Sequence, residues 1–216
     1  MATSRRGTKP EPIRARKTPT SASGCPKSIL DKLSADEQAV VLRALLTEHP
    51  ELRPQAEAIA ADAVSSPSVE DIAEDVCDAV TALDRDSLND RAGKHSWGYV
   101  EPTEAAWELL QEAVEDAIAD MKRRMELGVG TAAEAIYCGI VAGLHKATHA
   151  VSDGPLAWAP DFPVEHACYV VAELIRTCPV ENRAATRDRL VDALVVLVPA
   201  WHEMISRDAD RALHAK

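Results

Sequence analysis

Residues 102–178 decide the fold, and they begin with the run PTEAAWELLQEAVEDAIADMKRRMEL at positions 102–127. Apolar residues recur in this run at steps of three and four, namely at Trp107, Leu110, Val114, Ala117, Ile118, Met121 and Met125. These steps place them on one face of a helix, and a long apolar face needs a helical partner. The run therefore predicts a core made by helices packed on helices.

The next helix is predicted over about 131–149, and it carries a row of small residues four apart. The row is Ala135, Gly139, Gly143 and Ala147. Each glycine inside a helix costs about 1 kcal/mol relative to alanine. We therefore expect the row to serve a close approach by the backbone of a neighbouring helix.

Helical spacing recurs in the rest of the chain. It predicts helices over about 35–49, 51–64, 68–83, 163–178 and 182–206. Pro199 should kink or break the last of them. No strand pattern is present, so the sequence predicts an all-α fold. About seven helices would pair as antiparallel hairpins, in a compact bundle or a short helical-repeat stack.

The charge of the chain is divided unevenly. The 216 residues have a net charge of −11, yet residues 1–27 hold seven Lys or Arg against Glu11 alone. This arm has almost no apolar residue, which predicts disorder. The helical domain should span 28–206, and the polar residues 207–216 should form a frayed end.

Composition restricts the class of protein. No apolar run reaches the roughly 18 to 20 residues that cross a bilayer, and the N-terminus has no apolar segment typical of a secretory signal. The five cysteines form no C-x-x-C pair. An odd cysteine count without such pairs predicts a reduced, cytoplasmic protein. The lack of a long apolar run predicts a protein without membrane contact.

One part of the chain resembles a known group. Residues 91–93 (RAG), 98–110 (GYVEPTEAAWELL) and 158–163 (WAPDFP) are similar to a group of uncharacterised bacterial all-helical proteins. The resemblance covers about 90–175. The group has no assigned activity, so the resemblance implies a helical fold and no function.

Two irregular segments hold the best candidates for a binding site. Residues 92–101 and 150–162 contain Trp97, Tyr99, Trp158 and Phe162, which are half of the chain's eight Trp, Tyr and Phe residues. Large aromatic side chains on loops are typical of recognition surfaces. We expect the loops to lie together at one end of the long helix pair, with His95 and Asp161 at their rim, unless the aromatics fold inward to close the bundle.

A metal site is the first alternative. His145 and His149 are one helical turn apart, and His166 and Cys168 on the next helix would complete a set that suits zinc. Two histidines in the last turn of a helix also interact favourably with its dipole, without a metal.

Nucleic-acid binding is the second alternative. The Lys and Arg residues of 1–27 could contact phosphates, although the arm has no aromatic residue to stack on bases and the body is acidic. The sequence contains none of the common nucleotide-binding, hydrolase or zinc motifs, so it indicates no cofactor and argues weakly against an enzyme. The leading hypothesis is a cytoplasmic interaction or adaptor protein with a protein partner.

Overall fold

The structure is a computed structural model that describes residues 28–96, 98–150 and 152–214. These residues form ten α-helices and one two-stranded sheet, which confirms the predicted all-α class. The helices are α1 (Ala35–Glu48), α2 (Arg53–Ser65), α3 (Val69–Thr81), α4 (Arg85–Arg91), α5 (Pro102–Glu126), α6 (Gly130–Ala147), α7 (Pro155–Trp158), α8 (Phe162–Thr177), α9 (Arg183–Leu197) and α10 (His202–His214). The strands are β1 (Gly93–His95) and β2 (Gly98–Val100), and short 3-10 turns occur at Leu30–Lys32, Pro50–Leu52 and Val180–Asn182. The arm 1–27 lies outside the described residues.

The predicted count of about seven helices is wrong. Helices α4 and α7 have seven and four residues, too few to show a helical period in the sequence. Pro199 separates α9 from α10, so the last predicted helix is two. The expectation of no strand is also wrong, because β1 and β2 pair antiparallel with Lys94 opposite Tyr99. Three residues are too few for alternation to be visible.

The chain divides into two compact units between Arg53 and Pro54, where the sequence predicts one helical domain over 28–206. In the first unit, Ser34 caps α1 in the predicted capping box with Glu37. No residue of α1 is buried, and its apolar residues Val40 and Leu42 are 61% and 50% exposed. This helix therefore contributes nothing to a buried core.

The second unit is organised around α6. Eleven of its 18 residues are buried, on all sides of the helix, and α3, α5, α8 and α9 all pack against it. A helix that is apolar all round is stable in water only when other helices cover it. The most extensive helix contact joins α3 to α6, which are far apart in sequence, so pairing of neighbouring helices as hairpins does not describe the packing.

The small-residue row on α6 faces α3, as predicted. A Cβ atom on Gly143 would stand 2.7 Å from the Ala73 carbonyl oxygen, and one on Gly139 would stand 2.7 Å from Ile72 Cβ. Both distances are shorter than the contacts that Cβ atoms make in real proteins. The two glycines thus allow α3 to approach the α6 backbone more closely than any side chain would permit.

The apolar face of α5 covers another side of the same core. Leu110, Val114, Ile118 and Met121 are buried, as the spacing predicts. Arg91, the last residue of α4, donates to Glu112 Oε1 at 2.7 Å and thus joins α4 to α5.

The C-terminal end is more ordered in the structure than the frayed end predicted over 207–216. Helix α10 continues to His214 and buries Ala209 and Ala212 against the core. The fully buried residues of this segment are alanines, with Leu213 partly buried beside them, so the sequence shows no strong apolar face here. Among the described residues, no helix has both the length and the apolar character needed to cross a membrane.

The α3–α6 contact makes a stability prediction. We expect Gly143→Ala to lower the free energy of unfolding by about 1–3 kcal/mol, because the added methyl group overpacks against Ala73 and Val76. Chemical denaturation measures this change. Gly130→Ala is the matched control, because its Cβ would meet only Met125 Sδ at 3.8 Å. Equal stabilities of the two variants would contradict the close approach.

Candidate functional site

The short helix α7 is fixed in place by the glycine that precedes it. A Cβ atom on Gly154 would collide with the Leu83 carbonyl oxygen, in the connection between α3 and α4. Pro155 and Leu156 are buried directly after it. Arg85 and Asp153 add an exposed ion pair of 3.4 Å, of a kind that contributes little energy but restricts geometry. Trp158, at the end of α7, is therefore presented from a packed segment.

Trp158 stands at the edge of a cleft of about 310 Å³. The cleft is lined by Arg85, Leu88, Asn89, Ala92, Pro102 and Trp158. Its wall is mainly α4, whose N-terminus is capped by the Asp84 carboxylate accepting from the Ser87 N–H at 2.8 Å. Trp158 itself is 49% exposed. Ala92 comes from the first irregular segment and Trp158 from the second, so the two segments meet at this cleft.

The small sheet carries the other predicted residues of the first segment. Tyr99 on β2 is 62% exposed. His95 on β1 is half-buried, and its Nε2–H donates to the Arg91 carbonyl oxygen at 2.7 Å, which joins the sheet to the end of α4. Trp97 lies outside the described residues. Pro102, at the start of α5, lines the cleft, and Tyr99 lies three residues before it. Tyr99 is therefore a second exposed aromatic side chain near the cleft.

The structure assigns Phe162 to the core, contrary to its place in the predicted surface. It is fully buried, its ring meets Trp107 edge-on at 4.9 Å, and it stacks on His166 at 4.7 Å. The reason is that α8 begins at Phe162, so this side chain belongs to an inward helix face and not to a loop. Asp161, just before it, is exposed.

The four residues of the predicted metal site do not come together. The His145 ring packs edge-on against both His149 and Trp201, with centroids 5.0 and 4.9 Å apart. His166 is stacked on Phe162, and Cys168, two residues further along α8, faces elsewhere on that helix. Within the described part of the chain, no three His, Cys, Asp or Glu side chains are placed to hold a metal ion.

The environments of these groups explain their chemistry. Burial lowers the pKa of His166 to about 4, and its Nε2 has no hydrogen-bond partner among the described residues. Burial, together with the charge of His149, lowers the pKa of His145. Burial and a hydrogen bond to Asp208 raise the pKa of the Cys168 thiol to about 12. A buried His166 ring stacked on Phe162 and a protonated Cys168 thiol suit packing better than nucleophilic attack.

Sequence reasoning missed the α4 wall of the cleft, namely Arg85, Leu88 and Asn89. The available clue was Asp84 three residues before Ser87, the spacing of a helix cap. Comparison with protein-family models, with curated proteins and with solved structures finds no match. The resemblance over about 90–175 and nucleic-acid binding by 1–27 therefore stay predictions.

The buried His166 predicts a specific loss of stability in acid. Its pKa falls from 6.5 in the unfolded chain to about 4 in the folded one, so folding disfavours the protonated form. Above pH 6.5, protonation of His166 costs the folded state nothing. As the pH falls from 6.5 towards 4, it lowers the free energy of unfolding by on the order of 3 kcal/mol in total. We expect His166→Phe, which cannot be protonated, to reduce this decrease.

Urea unfolding of the wild type and of His166→Phe between pH 7 and pH 5 measures the difference. The carboxylates that lose their charge in acid are common to both proteins, so the difference between the two curves isolates the histidine. Parallel curves would show that His166 is not buried in its neutral form.

Proposed function

We propose that this chain is an interaction or adaptor protein that binds a segment of a partner protein in the cleft beside Trp158. The observation that supports this proposal most is the 49% exposure of Trp158 on a packed segment at the edge of a cleft. Tyr99, 62% exposed on β2, extends the aromatic surface at the same end of α5.

The energy available at Trp158 is sufficient for recognition. A tryptophan side chain buries about 150–250 Å² when fully covered, so roughly 100 Å² remains for a partner to cover. At about 25 cal/mol per Å², this contributes about 2.5 kcal/mol, or more than a tenfold gain in affinity. Tryptophan and tyrosine are enriched among residues that dominate binding energy.

The rigidity of the cleft supports the same function. Gly154 under the Leu83 carbonyl fixes α7, and the Arg91–Glu112 hydrogen bond fixes α4 on α5. A partner would therefore meet a preformed surface and lose little affinity to ordering of this site. Leu88 provides a buried apolar floor, and the Asn89 and Arg85 side chains provide polar groups at the rim.

Trp158 and Phe162 are four positions apart, and truncating each one distinguishes a half-exposed aromatic side chain from a fully buried one. We expect Trp158→Ala to lower the free energy of unfolding by about 1.5–2.5 kcal/mol, about half of the cost for a fully buried tryptophan, because half of the side chain is already in water. Phe162→Ala should lower it by about 3–5 kcal/mol, because that ring is fully buried. Thermal or urea unfolding of both variants checks the pair. A loss at Trp158 as large as that at Phe162 would assign Trp158 to the core.

Binding provides the functional test. In quantitative affinity purification we expect proteins that the wild type retains to be lost with Trp158→Ala and kept with Val196→Ala. Val196 on α9 is 81% exposed and does not line the cleft, so it controls for the loss of an exposed apolar group. The affinity for a retained protein, measured with purified components, should fall at least about tenfold in Trp158→Ala. Equal retention by all three proteins would overturn the proposal.

A further inference from the structure

A second surface of this chain is a groove along the seam between α3 and α5. It has a volume of about 320 Å³ and shares no lining residue with the Trp158 cleft. Each wall consists of residues at i, i+3, i+4 and i+7 of one helix, so the groove follows two helical turns, or about 10 Å. The lining residues are Ile72, Asp75, Val76 and Ala79 of α3, Ala113, Asp116, Ala117 and Asp120 of α5, and Ile136 of α6.

The lining between the carboxylates is apolar and incompletely covered. Val76 and Ile136 are buried, whereas the apolar residues nearer the surface are only partly buried, namely Ile72, Ala79, Ala113 and Ala117. Three of those four are alanines, which are too short to fill the space between the helices. The groove therefore has room for apolar side chains of a partner.

The two helices that form the groove are acidic and contain no base along this surface. Helix α3 has five Asp or Glu residues and no Lys, Arg or His. Residues 102–120 of α5 have six Asp or Glu residues and again no Lys, Arg or His. The residues that line the groove include three aspartates and no basic side chain. The seam is therefore negatively charged from both sides.

Two of the three aspartates in the groove are not neutralised by a neighbour. Asp120 pairs with Arg123 at 2.6 Å and with Arg124 at 3.1 Å. Asp75 on the α3 wall and Asp116 on the α5 wall are exposed, and neither makes an ion pair within the described residues. Each wall thus offers a carboxylate to a cation of the occupant.

This distribution of charge selects the occupant. Nucleic acid and anionic lipid carry phosphates, which the carboxylates of both walls would repel. An amphipathic helix with apolar residues at i, i+3, i+4 and i+7 fits a groove two turns long. Lys and Arg on the two edges of such a helix would reach both walls, because their methylene stems pack on alanine while the charged ends stay in water.

We propose that the α3–α5 groove binds a basic amphipathic helix of a partner protein. The apolar residues of that helix fill the space beside Ala113 and Ala117. Its Lys or Arg residues pair with Asp75 on one wall and with Asp116 on the other. Because this groove and the Trp158 cleft share no lining residue, the chain can hold two partner segments at once.

Three synthetic peptides of about 15 residues test this proposal with the full chain. The first has Leu at i, i+3, i+4 and i+7 with Lys at the flanking positions, the second has Glu in place of Lys, and the third keeps Lys but has Ser in place of Leu. Isothermal titration calorimetry should show at least about tenfold tighter binding of the Leu/Lys peptide than of either other peptide, because both charge and apolar burial contribute.

Two double variants locate the binding. Asp75→Asn with Asp116→Asn should weaken binding of the Leu/Lys peptide at least about threefold, because two exposed ion pairs are lost. Asp192→Asn with Glu203→Gln removes the same charge at exposed residues outside the groove, and it should bind like the wild type. All four replacements are at exposed residues, and thermal unfolding checks that both variants are folded.

Four results would each overturn the proposal. They are no binding of the Leu/Lys peptide, equal binding of the Lys and Glu peptides, equal binding of the Leu and Ser peptides, and equal weakening by the two double variants. The third would show attraction by charge alone, without use of the groove. The fourth would show that the peptide follows the net charge of the chain and not the α3–α5 seam.

Discussion

The architecture of the second unit depends on the contact between the backbone of α3 and the glycine face of α6. Protein interiors are packed to crystal-like density, so a helix interface has no room for an extra methyl group where the backbones already touch. Gly139 and Gly143 remove the side chains that would hold α3 away. Each glycine lowers the helix propensity of α6, but it permits the close packing through which four other helices cover α6.

The same device recurs where the candidate site is built. At Gly154 the chain passes under the Leu83 carbonyl, just beyond the end of α3. The close approach of α3 to α6 positions that carbonyl, and Gly154 then positions α7. Trp158 consequently stands beside α4 without being drawn into the core, while Phe162 begins the next helix and is buried.

The sequence predicts those parts of the structure that many residues specify together. The stripe of α5 and the small-residue row of α6 extend over several turns, so their periods are unambiguous and their buried faces are confirmed. Helix α7, with four residues, has no period, and the three-residue strands have no alternation. To predict that Phe162 is buried, one would need to know the first residue of α8 to within one position. His166 and Cys168 were close in sequence, but neighbouring positions on a helix point in different directions.

Backbone-to-backbone packing of α3 against α6 underlies the structure of the second unit, and nuclear Overhauser effects test this packing most directly. A spectrum of methyl-labelled protein should show strong cross-peaks from the Gly143 α-protons to the Val76 methyl groups. Corresponding cross-peaks should join Gly139 to Ile72. Their presence would place the two helices in contact at the glycines, as the structure has them. Absence of both sets in a folded, assigned protein would contradict the packing and, with it, the position of the Trp158 cleft.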